Sequence, residues 1–101
     1  MGTTGKIGVK YDSGKPLFSL IPPHALEEVA KVLTKGAEKY APDNWKKVPH
    51  LMERYEDAAG RHLNSFSKGD YVDDETGLEH LAHAACCLLF MLETRLTKEI
   101  T

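Results

Sequence analysis

Apolar residues recur every three or four positions in three stretches of this chain, which is the spacing of one helix face. The first stretch spans about 22–40 and opens on two prolines, which suit the first turn of a helix. The second spans about 49–66, and the third spans about 76–98. Pro42 and Pro49 bracket the loop between the first two. The pattern predicts an all-α fold with three main helices.

The segment before the first helix has no such repeat. Residues 1–21 are rich in Gly, Lys and Ser, and the stretch 10–16 is typical of a turn between short extended pieces. We therefore expect a single domain, with an irregular N-terminal arm over 1–21 followed by a helical, nucleotide-binding part over 22–101.

The third helix is apolar almost all round between Leu81 and Leu92. A helix of this kind must be covered on more than one side. Two partner helices in a chain of 101 residues cover it poorly, and the simplest remedy is a second copy of the same chain. The sequence therefore predicts that homo-oligomerisation completes the fold.

The charged residues narrow the range of partners. The formal net charge is −2, and Lys and Arg alternate with Asp and Glu along the chain. No basic patch suits a long phosphate backbone, so we expect no nucleic-acid polymer as a partner, whereas a single nucleotide needs only a few cations. The longest apolar run is too short to span a bilayer. We therefore expect no membrane partner. Cys86 and Cys87 are adjacent and unsuited to a disulfide with each other, and two free thiols indicate a reducing compartment, so we expect a cytosolic protein.

Histidines are the first candidates for chemistry. His80 and His83 share a helix face and could chelate a metal with Cys87 as a third ligand, or could be hydrogen-bonded core residues. Asp73 and Glu75, in the acidic loop just before them, could fold back over His80. His62 lies in the apolar face of the second helix. It could transfer protons beside the other two, or could be a core histidine with both nitrogens satisfied.

Two further groups could bind a nucleotide. Arg54, Asp57 and Arg61 lie on one helix face, either as weak surface ion pairs or as a phosphate-binding wall in which Asp57 orients an arginine or holds Mg²⁺. Asn44 and Trp45 follow the first helix and could read a purine by edge hydrogen bonds and stacking. Trp45 could equally plug the corner between the first two helices.

Glu53 and Glu56 form a Glu-x-x-Glu pair on the second helix. This matches half of the Mg²⁺-binding pattern of the MazG-like all-α nucleoside triphosphate pyrophosphohydrolases. The other half is not supplied by Glu27 and Glu28, so a solvated helix face is the alternative interpretation.

Several blocks of residues combine into a recognisable order and spacing over about 9–93. Two of them are specific, namely Gly-Ala-x-Lys-Tyr at 36–40 and His-Leu-Ala-His at 80–83. The others are Lys10-Tyr11-Asp12-x-Gly14-Lys15-Pro16, Pro23-x-Ala25-Leu26-x-x-Val29-Ala30-x-Val32, Asn44-Trp45, Arg54-Tyr55-x-Asp57-Ala58-x-x-Arg61-His62-Leu63 and Asp73-x-Glu75-x-Gly77-Leu78. Together they resemble the phage-associated dATP/dGTP diphosphohydrolase N-terminal domain family.

The resemblance implies a phage protein that acts in the cytoplasm of a bacterial host. It implies hydrolysis of purine deoxynucleoside triphosphates to monophosphate and pyrophosphate, with Mg²⁺ or Mn²⁺ as cofactor. The polar residues of the matched blocks are assigned as catalytic (Asp57, His62, His80, His83), substrate-binding (Lys15, Lys39, Asn44, Trp45, Arg54, Arg61) and metal-binding (Asp57, Asp73, Glu75). The alternatives are a non-catalytic protein that sequesters a nucleotide or cyclic nucleotide signal, and a structural subunit without nucleotide affinity.

Overall fold

Three α-helices form the fold in the computed structural model, which describes residues 7–97. They are α1 (Pro23–Tyr40), α2 (Leu51–Ser67) and α3 (His80–Thr97). Single 3-10 turns span Phe18–Leu20 and Asn44–Lys47. Within 7–97 there is no β-strand, and an isolated bridge pairs Val72 with Glu79. The all-α prediction is confirmed, while residues 1–6 of the predicted arm and Lys98 of the predicted third helix lie outside the described residues.

The helix ends follow local backbone signals. Pro23 is the first residue of α1, where its missing N–H costs no hydrogen bond. The helix stops at Tyr40 because Ala41 has φ 127° and ψ 153°, far from helical values, and Pro42 follows. The start of the third helix was predicted two to four residues too early, because residues 71–80 fold into a hairpin-like loop before α3 begins.

Helix α3 lies at the centre and packs against both α1 and α2. Its contact surface carries small residues, which let the neighbouring backbones approach closely, and the buried ones are Ala82, Ala84, Cys86 and Cys87. On the α1 side the Cys86 thiol donates a hydrogen bond to the carbonyl oxygen of Val29 at 3.5 Å. On the α2 side Ala59 is buried. The core is therefore built from small side chains around one central helix.

This three-helix arrangement leaves much apolar surface open. In the described part of the chain, no large side chain is fully buried, and the leucines at 81, 88, 92 and 96 are exposed. The radius of gyration is 18.6 Å, against about 13 Å for a compact chain of this size. None of the helices within 7–97 is long and apolar enough to cross a membrane. The third side of α3, away from α1 and α2, thus has no cover within the described chain.

Candidate functional site

A tight loop between α2 and α3 brings acidic side chains back to the start of α3. The backbone N–H of His80 donates to the Tyr71 carbonyl, and that of Asp73 donates to the Leu78 carbonyl, both at 2.8 Å. Gly77 closes the turn with φ 73°, a left-handed conformation that favours glycine. Asp73 is therefore held at a fixed position near His80, although seven residues separate them in sequence.

The Asp73 carboxylate organises this loop. Its Oδ1 accepts hydrogen bonds from the backbone N–H groups of Glu75 and Thr76, each at 2.9 Å, and from the Thr76 hydroxyl at 3.3 Å. Burial alone would raise the pKa of Asp73, but these hydrogen bonds and the nearby His83 ring outweigh it and lower the pKa. Asp73 is consequently a carboxylate at neutral pH.

Three histidine rings meet beside Asp73. The Nδ1 atoms of His62 and His80 lie 2.8 Å apart, so α2 and the first residue of α3 are joined through their imidazoles. The His62 and His83 rings stack, with centroids 4.6 Å apart and planes 13° from parallel. The Nε2 of His83 lies 2.7 Å from the Thr76 hydroxyl, which links the cluster to the loop.

The pKa values of two of these histidines, His62 and His83, are lowered, which favours their neutral imidazoles. Burial lowers the pKa of His62, and the neighbouring His83 and His80 lower it further. Burial also lowers the pKa of His83, although Asp73 acts in the opposite direction. A neutral imidazole has a free lone pair, so it can accept a proton or bind a metal ion.

A cavity of about 1000 Å³ opens beside the histidine cluster, and we call it the main cavity. Residues of α1, α2 and α3 and of the loop after α1 line it. The polar side chains predicted from the sequence that line it are Asn44, Trp45, Arg54, Arg61, His62 and His83. The structure therefore brings two arginines and two histidines to one concave surface of a size suited to a small ligand.

Trp45 has a structural partner inside this cavity. Its ring stacks on Phe90 of α3, with centroids 4.5 Å apart and planes 15° from parallel, and Tyr55 of α2 meets Phe90 edge-on at 5.1 Å. Trp45 thus joins the loop after α1 to α3, which is a structural role other than plugging the corner between the first two helices. Because Trp45 also lines the main cavity, it can still contact a bound base, and its role in recognising a purine stays a prediction.

An adjoining space of about 670 Å³, the side cavity, receives other predicted residues. His62 and His83 line both spaces, and Asp73 and Thr76 line the side cavity. Lys39 and Glu75 also line it and form an ion pair at 3.0 Å. Glu75 is thus paired with a cation and lies outside the group of His62, Asp73 and His80.

Several predicted residues lie elsewhere. Asp57 is exposed on α2 and lines neither the main nor the side cavity. Lys15 is exposed in the arm, where its N–H closes a turn to the Asp12 carbonyl at 3.1 Å. Cys87, by contrast, is buried in the helix interface and lines the main cavity. The ligand atoms that lie close to that of His80 belong to His62 and Asp73, both of which the sequence had placed near it, whereas Cys87 is not in this group.

Two residues of the site are absent from the sequence-based set. Thr76 joins Asp73 to His83, and the Asp-x-x-Thr spacing of a side-chain-capped turn is the signal that could have found it. The Asp70 carboxylate lies 3.6 Å from the Nε2 of His80. Nothing in the sequence distinguishes Asp70 from its acidic neighbours, because its role depends on how the loop folds.

Comparison with known proteins gives a consistent family assignment. The family model described as dATP/dGTP diphosphohydrolase, N-terminal, matches residues 6–101. A dATP/dGTP diphosphohydrolase of Salmonella phage PMBT28 is 48% identical over 84 residues. The match covers 83% of this chain and 28% of the phage protein, so the chain spans less than a third of that relative's length. No solved structure matches this chain.

Proposed function

This chain belongs to the dATP/dGTP diphosphohydrolase N-terminal family, and we propose that its main cavity binds and hydrolyses a purine deoxynucleoside triphosphate. The observation that carries the proposal is the meeting of Arg54 and Arg61 with His62 and His83 in that cavity. Cations that bind phosphate therefore lie beside groups that can move a proton. The name of the phage relative supplies the substrate class.

The two arginines are suited to the triphosphate. A guanidinium presents several donors in a planar fork that matches phosphate oxygens, and it stays charged at any working pH. Arg54 and Arg61 are seven residues apart on α2, so they project from the same side of the helix, two turns apart. Lys39, across the side cavity, can exchange its Glu75 partner for a phosphate oxygen.

The base would occupy the part of the main cavity lined by Asn44 and Trp45. The Asn44 amide offers both a donor and an acceptor, which can pair with the edge of a purine. The Trp45 indole ring offers an apolar surface to the base, and its stacking on Phe90 holds the ring in place. Purines present larger stacking surfaces than pyrimidines, which is consistent with a dATP/dGTP substrate class.

The proposed reaction is attack of water on the α-phosphorus. A new bond forms between the water oxygen and that phosphorus, and the bond from it to the oxygen bridging the β-phosphorus breaks. Pyrophosphate leaves with that oxygen, and a deoxynucleoside monophosphate remains. The proton released by water goes to a neutral imidazole, for which His83 is suited because its pKa is lowered by burial.

We propose that hydrolysis requires a divalent metal, Mg²⁺ or Mn²⁺. Such an ion neutralises charge on the phosphate oxygens and on the leaving pyrophosphate. Asp73 is a carboxylate held beside the cavity and is the acidic group best placed to contribute. Because the relative is a phage protein, we further propose that the chain acts on the nucleotide pool in the cytoplasm of an infected bacterium.

Product analysis tests this function. The purified chain is incubated with dATP or dGTP and with Mg²⁺, Mn²⁺ or a chelator, and the products are separated by ion-exchange chromatography. We expect metal-dependent monophosphate and pyrophosphate. Arg61→Ala should lose at least tenfold in kcat/KM, whereas Lys68→Ala, which removes an exposed cation outside both cavities, should not.

Intact nucleotide under all these conditions would contradict hydrolysis by this chain. Thermal shifts with linear and cyclic nucleotides then separate the two alternatives. A shift that Arg61→Ala abolishes would indicate a protein that sequesters a nucleotide. No shift with any nucleotide would indicate a structural subunit.

A further inference from the structure

We propose that His62, Asp73 and His80 form a binding site for a first-row divalent transition metal, with Asp70 as the carboxylate that orients His80. Each of the three residues offers one ligand atom, and these atoms lie within 4.8 Å of one another. Two metal–nitrogen bonds of about 2.1 Å nearly span that separation. Small side-chain rotations therefore suffice to close the three atoms around one ion.

The ligand set selects the class of metal. Imidazole nitrogen suits ions such as Mn²⁺, Co²⁺ and Zn²⁺, whereas Mg²⁺ prefers an all-oxygen shell with several waters. Two imidazoles and one carboxylate leave further positions open for water or for a phosphate oxygen. We therefore expect the chain itself to bind a transition metal and to bind Mg²⁺ only weakly.

A second observation at His80 supports this site independently. The residue is 6% exposed, and its Nε2 atom is buried without a hydrogen-bond partner. A buried polar atom left without a hydrogen-bond partner destabilises the fold. The Nδ1 atom on the other side of the ring faces His62 at 2.8 Å. The His80 ring therefore lies between His62 and the Asp70 carboxylate, and of its two nitrogens only Nδ1 has a hydrogen-bond partner.

A metal ion on Nδ1 of His80 would remove this mismatch. The metal occupies the Nδ1 lone pair, so the ring proton must reside on Nε2. That N–H then points toward the Asp70 carboxylate, whose Oδ2 lies 3.6 Å away. A carboxylate behind a metal-bound histidine is the usual outer partner, because it fixes the ring orientation and raises the basicity of the ligand. Asp70 is accordingly a positioning residue.

Asp73 has a ligand atom to spare. Its Oδ1 is taken by the loop donors from Glu75 and Thr76. Within residues 7–97 no hydrogen-bond donor reaches Oδ2. The loop therefore fixes the carboxylate through one oxygen and leaves the other for an ion.

The biological role of this metal site rests on the proposed function. Metal binding itself can be measured without nucleotide, so the two proposals can be tested separately. Isothermal titration of the intact chain with Zn²⁺, Co²⁺ and Mg²⁺ should give at least hundredfold tighter binding of Zn²⁺ than of Mg²⁺. Bound Co²⁺ should show visible ligand-field absorption. Hydrolysis with Mg²⁺ alone and no Zn²⁺ preference would overturn the metal site and leave the proposed function standing.

Variants assign the ligands. Asp73→Asn and His62→Gln should each weaken Zn²⁺ binding by more than tenfold. Asp74→Asn, the matched control at the neighbouring exposed carboxylate, should leave it unchanged. Circular dichroism verifies that each variant is folded. Zn²⁺ bound with equal affinity by the chain and by both ligand variants would place the ion elsewhere and would overturn the assignment.

The role of Asp70 has its own readout. Asp70→Asn should lower Zn²⁺ affinity by about 10–100-fold while the Co²⁺ absorption bands keep their positions, because the ligand set is unchanged. Asp70→Glu should recover part of the affinity. A shift of the bands in Asp70→Asn would identify Asp70 as a direct ligand and contradict its positioning role.

The uncovered side of α3 supports a second, independent inference. Its exposed stripe, which we call the leucine stripe, consists of Leu81, Ala85, Leu88, Leu92 and Leu96. These residues follow each other at intervals of three or four, so they form one face of the helix. Leu88 is 52% exposed and Leu92 is 54% exposed. Ala85 within the stripe is half-buried, and the exposed Arg95, three residues after Leu92, borders it.

We infer that a second copy of this chain covers the leucine stripe. The accessible surface is 8183 Å², against about 5,700 Å² for a compact protein of this mass. The exposed arm over 7–21 supplies part of this excess, and the excess is about three times the 800 Å² or so that a stable interface buries of each partner. A two-fold axis brings the same patch of both copies together, so the leucines of one stripe can pack against those of the other.

Light scattering behind size exclusion tests this association. The chain should elute at about twice its mass of 11.2 kDa, and Leu88→Glu combined with Leu92→Glu should give the monomer. Leu26→Glu, which changes an equally exposed leucine on α1, should remain dimeric. A monomeric wild-type chain at high micromolar concentration would overturn the inference, and so would an assembly that the stripe variants leave intact.

Discussion

His62 and His80 approach each other to 2.8 Å between their Nδ1 atoms, although 18 residues separate them in the chain. Only one of the two nitrogens can donate in this contact, because a neutral imidazole carries a single N–H. The contact ties the middle of α2 to the first residue of α3 and closes the loop between them. The candidate site is therefore assembled by tertiary structure around one histidine pair.

Thr76 should prove more important for catalysis than for stability. Thr76→Val removes the hydroxyl that lies between Asp73 and His83, so His83 loses its only polar support from the loop. We expect kcat to fall at least tenfold with little change in KM, and a loss of about 1 kcal/mol in the free energy of unfolding. Steady-state kinetics and urea unfolding measure both quantities.

Thr94→Val is the matched control for this prediction. Its hydroxyl also donates one hydrogen bond, to the Phe90 carbonyl at 2.8 Å, but it lies outside the site. Equal losses of kcat in the two variants would contradict the assigned role of Thr76.

Gly36 lies in the interior of α1, where glycine is unfavourable by about 1 kcal/mol relative to alanine. A Cβ at this position would meet nothing within 4 Å, so packing does not require the glycine. Gly36 lines both the main and the side cavity. Gly36→Ala should therefore raise stability by roughly 0.5–1 kcal/mol while raising KM for the nucleotide severalfold.

Gly60 offers the matched control on α2. It is exposed, has open space around its Cβ position and lines neither cavity. Gly60→Ala should raise stability by a similar amount and leave KM unchanged. If Gly36→Ala also left KM unchanged, the nucleotide would not approach α1 at this point.

The helices could be predicted from the sequence because their signals are local. Periodic apolar positions and the prolines before α1 and between α1 and α2 placed α1 and α2 within two residues of their ends. The start of α3 was missed because backbone hydrogen bonds between Tyr71 and His80 keep the preceding residues in a loop. These hydrogen bonds form only in the folded loop, so the spacing of apolar residues along the sequence does not reveal them.

The site could be predicted only in part for the same reason. Helical spacing grouped His80 with His83 and Cys87, since those residues share a face. The structure brings His62 and Asp73 to His80 from two other elements, as the sequence allowed, but leaves Cys87 and Glu75 out of the group. Asp70 could not be singled out, because its approach to His80 is set by the fold of the loop.

Trp45 and Phe90 should contribute to stability through their stacking. Phe90→Leu keeps an apolar side chain but removes the aromatic partner of Trp45 and Tyr55. We expect a loss of about 1–2 kcal/mol in the free energy of unfolding, from the two aromatic pairs and the smaller contact area. The Trp45 fluorescence spectrum should shift to longer wavelength as the indole becomes more solvated. An unchanged spectrum and stability would contradict the stacking.

The cysteine thiols should react slowly in the folded chain. Burial raises the pKa of Cys86 from 9.0 to about 12, with the neighbouring Cys87 adding to it. Since the thiolate is the nucleophile, the reactive fraction at pH 8 should be lower by roughly a thousandfold than for a free thiol. A Cys87→Ala variant isolates Cys86, and its alkylation is timed in buffer and in guanidinium. Equal rates in the two solutions would contradict the buried position.

The most direct test of the account is hydrolysis of dGTP in H₂¹⁸O by the Mn²⁺-loaded chain, with products analysed by mass spectrometry. Attack of water on the α-phosphorus predicts dGMP that carries one ¹⁸O and pyrophosphate that carries none. Intact dGTP, or ¹⁸O found in pyrophosphate instead of dGMP, would contradict it.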